Sequence, residues 1–140
     1  MNQPTGTVKP HIIIADDEEL LCETVADFLW RSGYAVSIVH DGSEVIPIID
    51  REKVDLVLLD MVMPVMNGLE TLALIKQRSP QTRVLMLSGY DQADNVEQAK
   101  QLGSDGFITK PFGIETLMRR IRSILTNDLP PSFHEPPIEG

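Results

Sequence analysis

The stretch LVLLD, residues 56–60, is a short run of aliphatic residues that ends on a carboxylate. Such a run is typical of a strand that is buried on both faces of a parallel sheet. Three further runs have the same form and also end on reactive side chains: IIIADD (12–17), LMLS (85–88) and FITKP (107–111). Because open parallel sheets place their chemistry beyond the carboxyl ends of the strands, these four ends predict one shared site.

Helical patterns alternate with these runs along the chain. Apolar residues recur at intervals of three and four after Asp17, after Gly68 and after Pro111, which is the helical period. The remaining predicted elements are a strand and two less regular helices, at residues 34–39, 43–50 and 91–102, with Pro47 interrupting the first of these helices near its start. Because parallel neighbours need right-handed crossovers, this strict alternation predicts a doubly wound α/β fold, a five-stranded parallel sheet with five helices on its two faces.

Aliphatic residues are scarce at both ends of the chain. Residues 1–9 lack a helical or strand pattern, and residues 127–140 carry two Pro-Pro pairs but too few aliphatic residues for a packed core. We therefore expect one domain at residues 10–126, preceded by a disordered segment and followed by a proline-rich tail or linker.

Composition and charge exclude several classes of function. The formal net charge of −9 disfavours binding to nucleic acid or to an anionic membrane surface. The longest aliphatic runs fall far short of a membrane span, and the single Cys22 cannot form an internal disulfide. The three histidines have no metal-ligand spacing. The expected protein is cytoplasmic, with no direct nucleic-acid or membrane contact.

The acidic residues at the strand ends indicate a metal site. Carboxylates that face one another repel and raise each other's pKa unless a cation neutralises them. Mg²⁺ prefers oxygen ligands and commonly binds one or two carboxylates together with a phosphate oxygen. We expect Asp17 and Asp60 to be direct ligands of Mg²⁺ and Asp16 to act through water.

The same residues suit phosphoryl transfer. Asp60 is the best nucleophile because it is central, and a carboxylate can accept a phosphoryl group to give an aspartyl phosphate. Lys110 would pair with one phosphate oxygen and Ser88 would donate a hydrogen bond to another. Each residue also has a structural explanation, since Asp16 and Asp17 could cap the first helix and the others could be turn or surface residues.

The motifs together resemble one protein family. Asp16-Asp17, Asp60 followed by MVMP, Leu87-Ser88-Gly89 and Lys110-Pro111-Phe112 are similar to the motifs of the response regulator receiver domain, over residues 10–126. The resemblance implies the flavodoxin-like strand order 2-1-3-4-5, with the site between strands 1 and 3. It also implies that a phosphohistidine on a sensor histidine kinase or phosphotransfer protein supplies the phosphoryl group.

The resemblance further implies roles for individual residues. Mg²⁺ would be held by Asp17, Asp60 and the backbone carbonyl of Val62. On phosphorylation, Ser88 would move toward the phosphate and Phe107, here in place of a tyrosine, would turn inward behind it. We expect the fourth helix, fifth strand and fifth helix to present the changed surface to a downstream protein or output domain, because the weakly anchored segment 91–102 can shift at low cost. A phosphorylation-dependent homodimer is left open.

Two other functions remain open beside this signalling switch. One is a Mg²⁺-dependent phosphatase or phosphotransferase with an aspartyl-phosphate intermediate, although such enzymes usually need a second carboxylate two residues after the nucleophile, where Val62 stands. The other is a receiver-like module that binds partners without being phosphorylated. If the protein is a switch, Val62 and Tyr90 would hinder the hydrolytic water and predict a persistent phosphoryl group.

Overall fold

The computed structural model describes residues 9–89 and 93–126 of the chain. The strands are β1 His11–Ala15, β2 Ala35–Val39, β3 Leu56–Asp60, β4 Arg83–Ser88 and β5 Gly106–Thr109. The helices are α1 Glu19–Arg31, α2 Val45–Arg51, α3 Gly68–Arg78, α4 Ala93–Gln101 and α5 Ile114–Thr126. All neighbouring strands are parallel, in the order β2-β1-β3-β4-β5, which confirms the predicted doubly wound, flavodoxin-like fold.

Two hydrophobic layers enclose the sheet. Successive side chains of a strand point to opposite faces, so alternate residues join different layers. On β3, Leu56 and Leu58 pack with residues of α1 and α5, whereas Val57 and Leu59 pack with residues of α2, α3 and α4. All five residues of β3 are buried. Each aliphatic side chain that is buried in this way contributes about 1.5–3 kcal/mol, so the middle of the sheet is the most strongly fixed part of the fold.

Local signals set the helix ends. Gly33 and Gly103 have φ of 96° and 101°, the left-handed conformation that commonly follows the end of a helix, here of α1 and α4. The predicted helix at residues 43–50 differs in detail, because a 3₁₀ turn at Gly42–Glu44 comes first and α2 begins at Val45. Pro47 therefore lies in the first turn of α2, where backbone N–H groups have no partner within the helix, and it does not interrupt the helix.

The loop between β3 and α3 is fixed at its far end by a capping box. The Asn67 side chain accepts a hydrogen bond from the Glu70 backbone N–H at 2.9 Å, and the Glu70 carboxylate accepts one from the Asn67 N–H at 3.1 Å. The Gly68 N–H donates to the Met61 carbonyl oxygen at 2.9 Å. The start of α3 is thus tied directly to the residue that follows Asp60.

Gly68→Ala is expected to destabilise the protein by about 2–3 kcal/mol, because the added Cβ overpacks a site that cannot relax. That Cβ would lie 2.5 Å from the Asp60 carbonyl oxygen and 2.7 Å from Met61 Cα, both backbone atoms at the end of β3. Urea denaturation of the metal-free protein measures the change. Gly113→Ala is the matched control, since its Cβ would meet nothing within 4 Å, and it should cost less than about 1 kcal/mol. Equal losses in the two variants would contradict the overpacking argument.

Among residues 9–89 and 93–126, no helix combines the length and the apolar composition that crossing a bilayer requires.

Candidate metal and phosphoacceptor site

Charged side chains from the ends of three strands meet at the carboxyl edge of the sheet. Asp16 and Asp17 follow β1, Asp60 is the last residue of β3, and Lys110 follows β5. One carboxylate oxygen from each of the three aspartates lies within 4.8 Å of the others. The Lys110 Nζ lies 2.8 Å from Asp16 Oδ2 and 3.5 Å from Asp60 Oδ2. The structure therefore brings together the acidic residues and the lysine that the sequence singled out.

Asp16 is fully buried and is held from several sides. Its backbone N–H donates to the Val39 carbonyl oxygen at 3.1 Å, and its Oδ1 accepts a hydrogen bond from the Glu18 N–H at 2.9 Å. Apart from the ion pair with Lys110, its Oδ2 accepts no hydrogen bond from the residues that the structure describes. The N-cap residue of α1 is Glu18, so neither Asp16 nor Asp17 occupies the N-cap position.

The Asp60 carboxylate is nearly buried. Burial, followed by the negative charge of Asp16, raises the pKa of Asp60 to about 6, against the opposing effect of Lys110. The Val62 N–H donates to Asp60 Oδ1 at 3.4 Å and lowers this pKa slightly. Without a further cation, ionising Asp60 is therefore less favourable in the folded protein than in the free side chain.

Lys110 remains protonated in this setting. Burial lowers its pKa, but the hydrogen bond with Asp16 and the negative charges of Asp60 and Asp16 outweigh burial, so the pKa of Lys110 lies above its ordinary value. Its Nζ also lies 3.2 Å from Glu18 Oε1. Glu18 directly follows the acidic pair in sequence, but its contact with Lys110 was not predicted.

The donor set fits a divalent cation. Three clustered carboxylates against one ammonium leave two negative charges uncompensated when all groups are ionised. All three offer oxygen atoms, the ligands that Mg²⁺ prefers. The raised pKa of Asp60 also indicates a pocket that lacks positive charge.

The other predicted site residues lie around this cluster. Ser88 is the buried last residue of β4, and its carbonyl oxygen accepts a hydrogen bond from the Lys110 N–H at 2.7 Å. The Phe107 side chain is 37% exposed on β5, and Val62 is exposed in the loop after Asp60. The Lys110-Pro111 peptide bond is cis. Tyr90, and with it the predicted hindrance of the hydrolytic water, lies outside the described residues, as does the start of the 91–102 segment.

The contribution of Asp60 to the stability of the metal-free protein is expected to fall as pH rises from about 4 to about 6. The pKa of Asp60 is about 6 in the folded state against 3.8 for the free side chain, so between these values the folded state binds the proton more tightly. Raising pH therefore favours unfolding, by about 2–3 kcal/mol in total. Urea denaturation at a series of pH values, with chelator, measures this change. As pH rises through this window, the free energy of unfolding of Asp60→Asn should increase relative to that of the wild-type protein. Parallel pH profiles of the two proteins would exclude the raised pKa.

Together, the strand order and the acidic edge define the chemotaxis-regulator-like class of flavodoxin-like α/β proteins. A family model of the response regulator receiver domain matches residues 12–122. The chain belongs to the response regulator receiver domain family, which confirms the resemblance seen in the sequence. As a receiver domain of two-component signalling, it is a phosphorylation-dependent switch.

Individual relatives agree with this membership. The chain is 36% identical over 117 residues to YkoG of Bacillus subtilis, an uncharacterized transcriptional regulatory protein, covering 84% of this chain and 51% of YkoG. It is 35% identical over 114 residues to the Escherichia coli transcriptional regulatory protein CpxR, covering 81% of this chain and 48% of CpxR. The chain thus spans about half the length of these relatives. A CheY-like receiver domain from Methanospirillum hungatei superposes with a TM-score of 0.82 at 28% identity, covering 86% of this chain and 96% of that one.

Proposed function

We propose that this receiver domain accepts a phosphoryl group on Asp60 from a phosphohistidine of a sensor histidine kinase or phosphotransfer protein. The observation that carries the proposal is the cluster of three aspartates at the carboxyl edge of the sheet, two of which, Asp16 and Asp60, contact Lys110. Asp60 is the central member, because β3 lies between β1 and β4 in the sheet. Membership of the receiver family supports the same role.

Mg²⁺ is the cofactor that this donor set suits. Asp17, Asp60 and the backbone carbonyl of Val62 would hold it, with Asp16 acting through water. When bound, Mg²⁺ neutralises the negative charge of the carboxylates and of the phosphoryl oxygens.

The residues of the chain then have separate tasks in the transfer. A carboxylate oxygen of Asp60 forms a bond to phosphorus as the P–N bond of the donor breaks, and the electron pair leaves on the imidazole nitrogen. Lys110 is protonated, already lies 3.5 Å from Asp60 Oδ2, and would pair with a phosphoryl oxygen. The Ser88 hydroxyl would donate a hydrogen bond to another of these oxygens.

The new charge changes a partner-binding surface formed by α4, β5 and α5. Phosphorylation adds about 1.5–2 negative charges at Asp60, which attract Lys110 and Ser88. These two residues are joined by the Lys110 N–H bond to the Ser88 carbonyl, so their movement passes to the ends of β4 and β5. The half-exposed Phe107 ring can turn inward, and Arg120 Nη1, which donates to the Phe107 carbonyl oxygen at 2.6 Å, links that strand to α5.

The binding partner of this surface would be a downstream protein or an output domain. The curated relatives are transcriptional regulators about twice as long as the matched region, which supports an output domain beyond the receiver at residues 10–126, joined through the proline-rich segment 127–140. A homodimer that forms on phosphorylation is part of the same proposal, as is a cytoplasmic location beside the phosphohistidine donor. Direct contact of this segment with nucleic acid or membrane is not proposed, because its net charge is −9.

Catalysis by the domain is confined to its own phosphorylation and dephosphorylation. Hydrolases that use an aspartyl phosphate need a second carboxylate to donate and accept protons. Two residues after Asp60 the chain carries Val62, which can do neither. We therefore disfavour a turnover enzyme for metabolites.

Incubation with acetyl phosphate and Mg²⁺, followed by intact-mass measurement and phosphate assay, tests the proposal. A switch gives one phosphoryl adduct per chain, formed with Mg²⁺ and absent when chelator is present. Continued release of phosphate without accumulation of the adduct would instead indicate the enzyme. Neither adduct nor release would indicate a module that works without phosphorylation.

A further inference from the structure

The ring of His40 lies beside the acidic cluster, on the neighbouring strand. His40 directly follows β2, which pairs with β1 so that Val39 is opposite Ala15. One residue further along, the His40 ring Nδ1 lies 2.9 Å from the backbone carbonyl oxygen of Asp16. The His40 backbone is itself held, because its N–H donates to Glu44 Oε1 at 3.0 Å. Strand pairing therefore brings His40 next to Asp16, the first residue of the acidic pair.

The chemistry of this contact fixes the tautomer of His40. A carbonyl oxygen can only accept a hydrogen bond, so Nδ1 must carry the hydrogen. The thiol of Cys22 donates to the same oxygen at 3.2 Å. Two donors, one from α1 and one from the segment after β2, thus occupy both lone pairs of the Asp16 carbonyl.

The hydrogen bonds to the Asp16 carbonyl oxygen mainly affect the position of Asp17. The carbonyl group of Asp16 and the N–H of Asp17 belong to one planar peptide unit, so a bond that fixes the oxygen also fixes the direction toward Asp17 Cα. The Asp16 carboxylate has its own supports, Glu18 N–H at 2.9 Å and Lys110 Nζ at 2.8 Å. Asp17 is exposed, and its carboxylate completes the three-aspartate cluster. Its placement therefore depends on the peptide plane that precedes it.

We propose that His40 is a positioning residue that holds the Asp16 carbonyl through Nδ1–H and so orients Asp17 toward a divalent cation. The inference rests on the proposed function, since the cation is the Mg²⁺ of that site. Groups that orient metal ligands from outside the coordination sphere typically contribute ten- to hundredfold to metal affinity. Because the His40 side chain is exposed and Cys22 supports the same oxygen, the lower end of this range, about tenfold, is expected.

Calorimetric titration of the metal-free protein with Mg²⁺ alone tests the role. His40→Ala should weaken Mg²⁺ binding about tenfold. His40→Asn places an amide N–H at nearly the position of Nδ1 and should restore the affinity to within about threefold, which corresponds to about 0.6 kcal/mol. His40→Gln carries its amide one methylene further out, near the position of Nε2, and should bind as weakly as His40→Ala. His11→Ala, at the opposite edge of the sheet, is the control and should bind Mg²⁺ like the wild-type protein.

Several outcomes overturn the proposal. These are an unchanged affinity in His40→Ala, an asparagine variant as weak as the alanine variant, a glutamine variant as good as the asparagine variant, and a wild-type protein that binds no Mg²⁺. Urea denaturation of every variant shows that each is folded under the titration conditions.

A second measurement does not depend on the metal. Ring ¹⁵N chemical shifts at about pH 8 should show the Nδ1–H tautomer of His40 in the metal-free protein. The Nε2–H tautomer would overturn the assignment. Failure of the proposed function looks different: the wild-type protein would bind Mg²⁺ with the stated dependence on His40 but form no adduct with acetyl phosphate.

Discussion

Asp60→Asn is expected to reduce phosphorylation by acetyl phosphate below detection, a loss of more than about a thousandfold, or about 4 kcal/mol of activation free energy. The amide has nearly the shape of the carboxylate but lacks the anionic oxygen that attacks phosphorus. The other members of the site remain, because Asp16, Asp17 and Lys110 come from β1 and β5. Intact mass at matched times in acetyl phosphate and Mg²⁺ measures the loss.

The matched control is Asp55→Asn, the same substitution directly before the opposite end of β3. Asp55 Oδ2 accepts a hydrogen bond from the His11 N–H at 2.8 Å, far from the acidic cluster, so this variant should form the adduct like the wild-type protein. Unfolding cannot explain the loss in Asp60→Asn, since removing a carboxylate whose pKa is raised to about 6 should stabilise the metal-free protein at neutral pH. An adduct that survives in Asp60→Asn would place the phosphoryl group on another residue.

The fold was predictable because each strand carries its own signal. The runs at 12–14, 56–59 and 85–87 are continuous and aliphatic, as strands buried on both faces must be, and each ends on a polar residue where the strand leaves the core. Helix ends at Gly33 and Gly103 follow from the conformational freedom of glycine. The start of α2 was placed less well, since a 3₁₀ turn capped by Asp41 has no periodicity of its own.

The acidic cluster was predictable for the same reason, and its surroundings were not. Parallel strands bring their carboxyl ends to one edge, so the pairing of Asp16, Asp60 and Lys110 follows from topology alone. The contacts of Glu18 with Lys110 and of His40 with the Asp16 carbonyl depend on loop conformation and on strand register, which no local pattern encodes. Of these two residues, only Glu18 carried a signal in the sequence, because it directly follows the predicted ligand Asp17.

Lys110→Met is expected to destabilise the metal-free protein by about 3–5 kcal/mol at neutral pH. Methionine keeps most of the length and the apolar stem of lysine, so packing changes little. What is lost is the ammonium 2.8 Å from Asp16 Oδ2, and Asp16 is a fully buried carboxylate that would be left without its ion pair. Urea denaturation with chelator measures the loss. Lys100→Met, an exposed lysine on α4, should change stability by less than about 0.5 kcal/mol.

Experiments with added Mg²⁺ distinguish the effect of the Lys110 charge from the effect of its packing. The ammonium competes electrostatically with a divalent cation for the same carboxylates, so its removal should strengthen Mg²⁺ binding while it slows phosphorylation by acetyl phosphate. Mg²⁺ binds only the folded cluster, so saturating Mg²⁺ should stabilise Lys110→Met more than it stabilises the wild-type protein. If Lys110 served only to fill space, Mg²⁺ affinity would be the same in both proteins. Destabilisation without metal, tighter metal binding and slower phosphorylation occur together only if the lysine acts by its charge on Asp16 and Asp60.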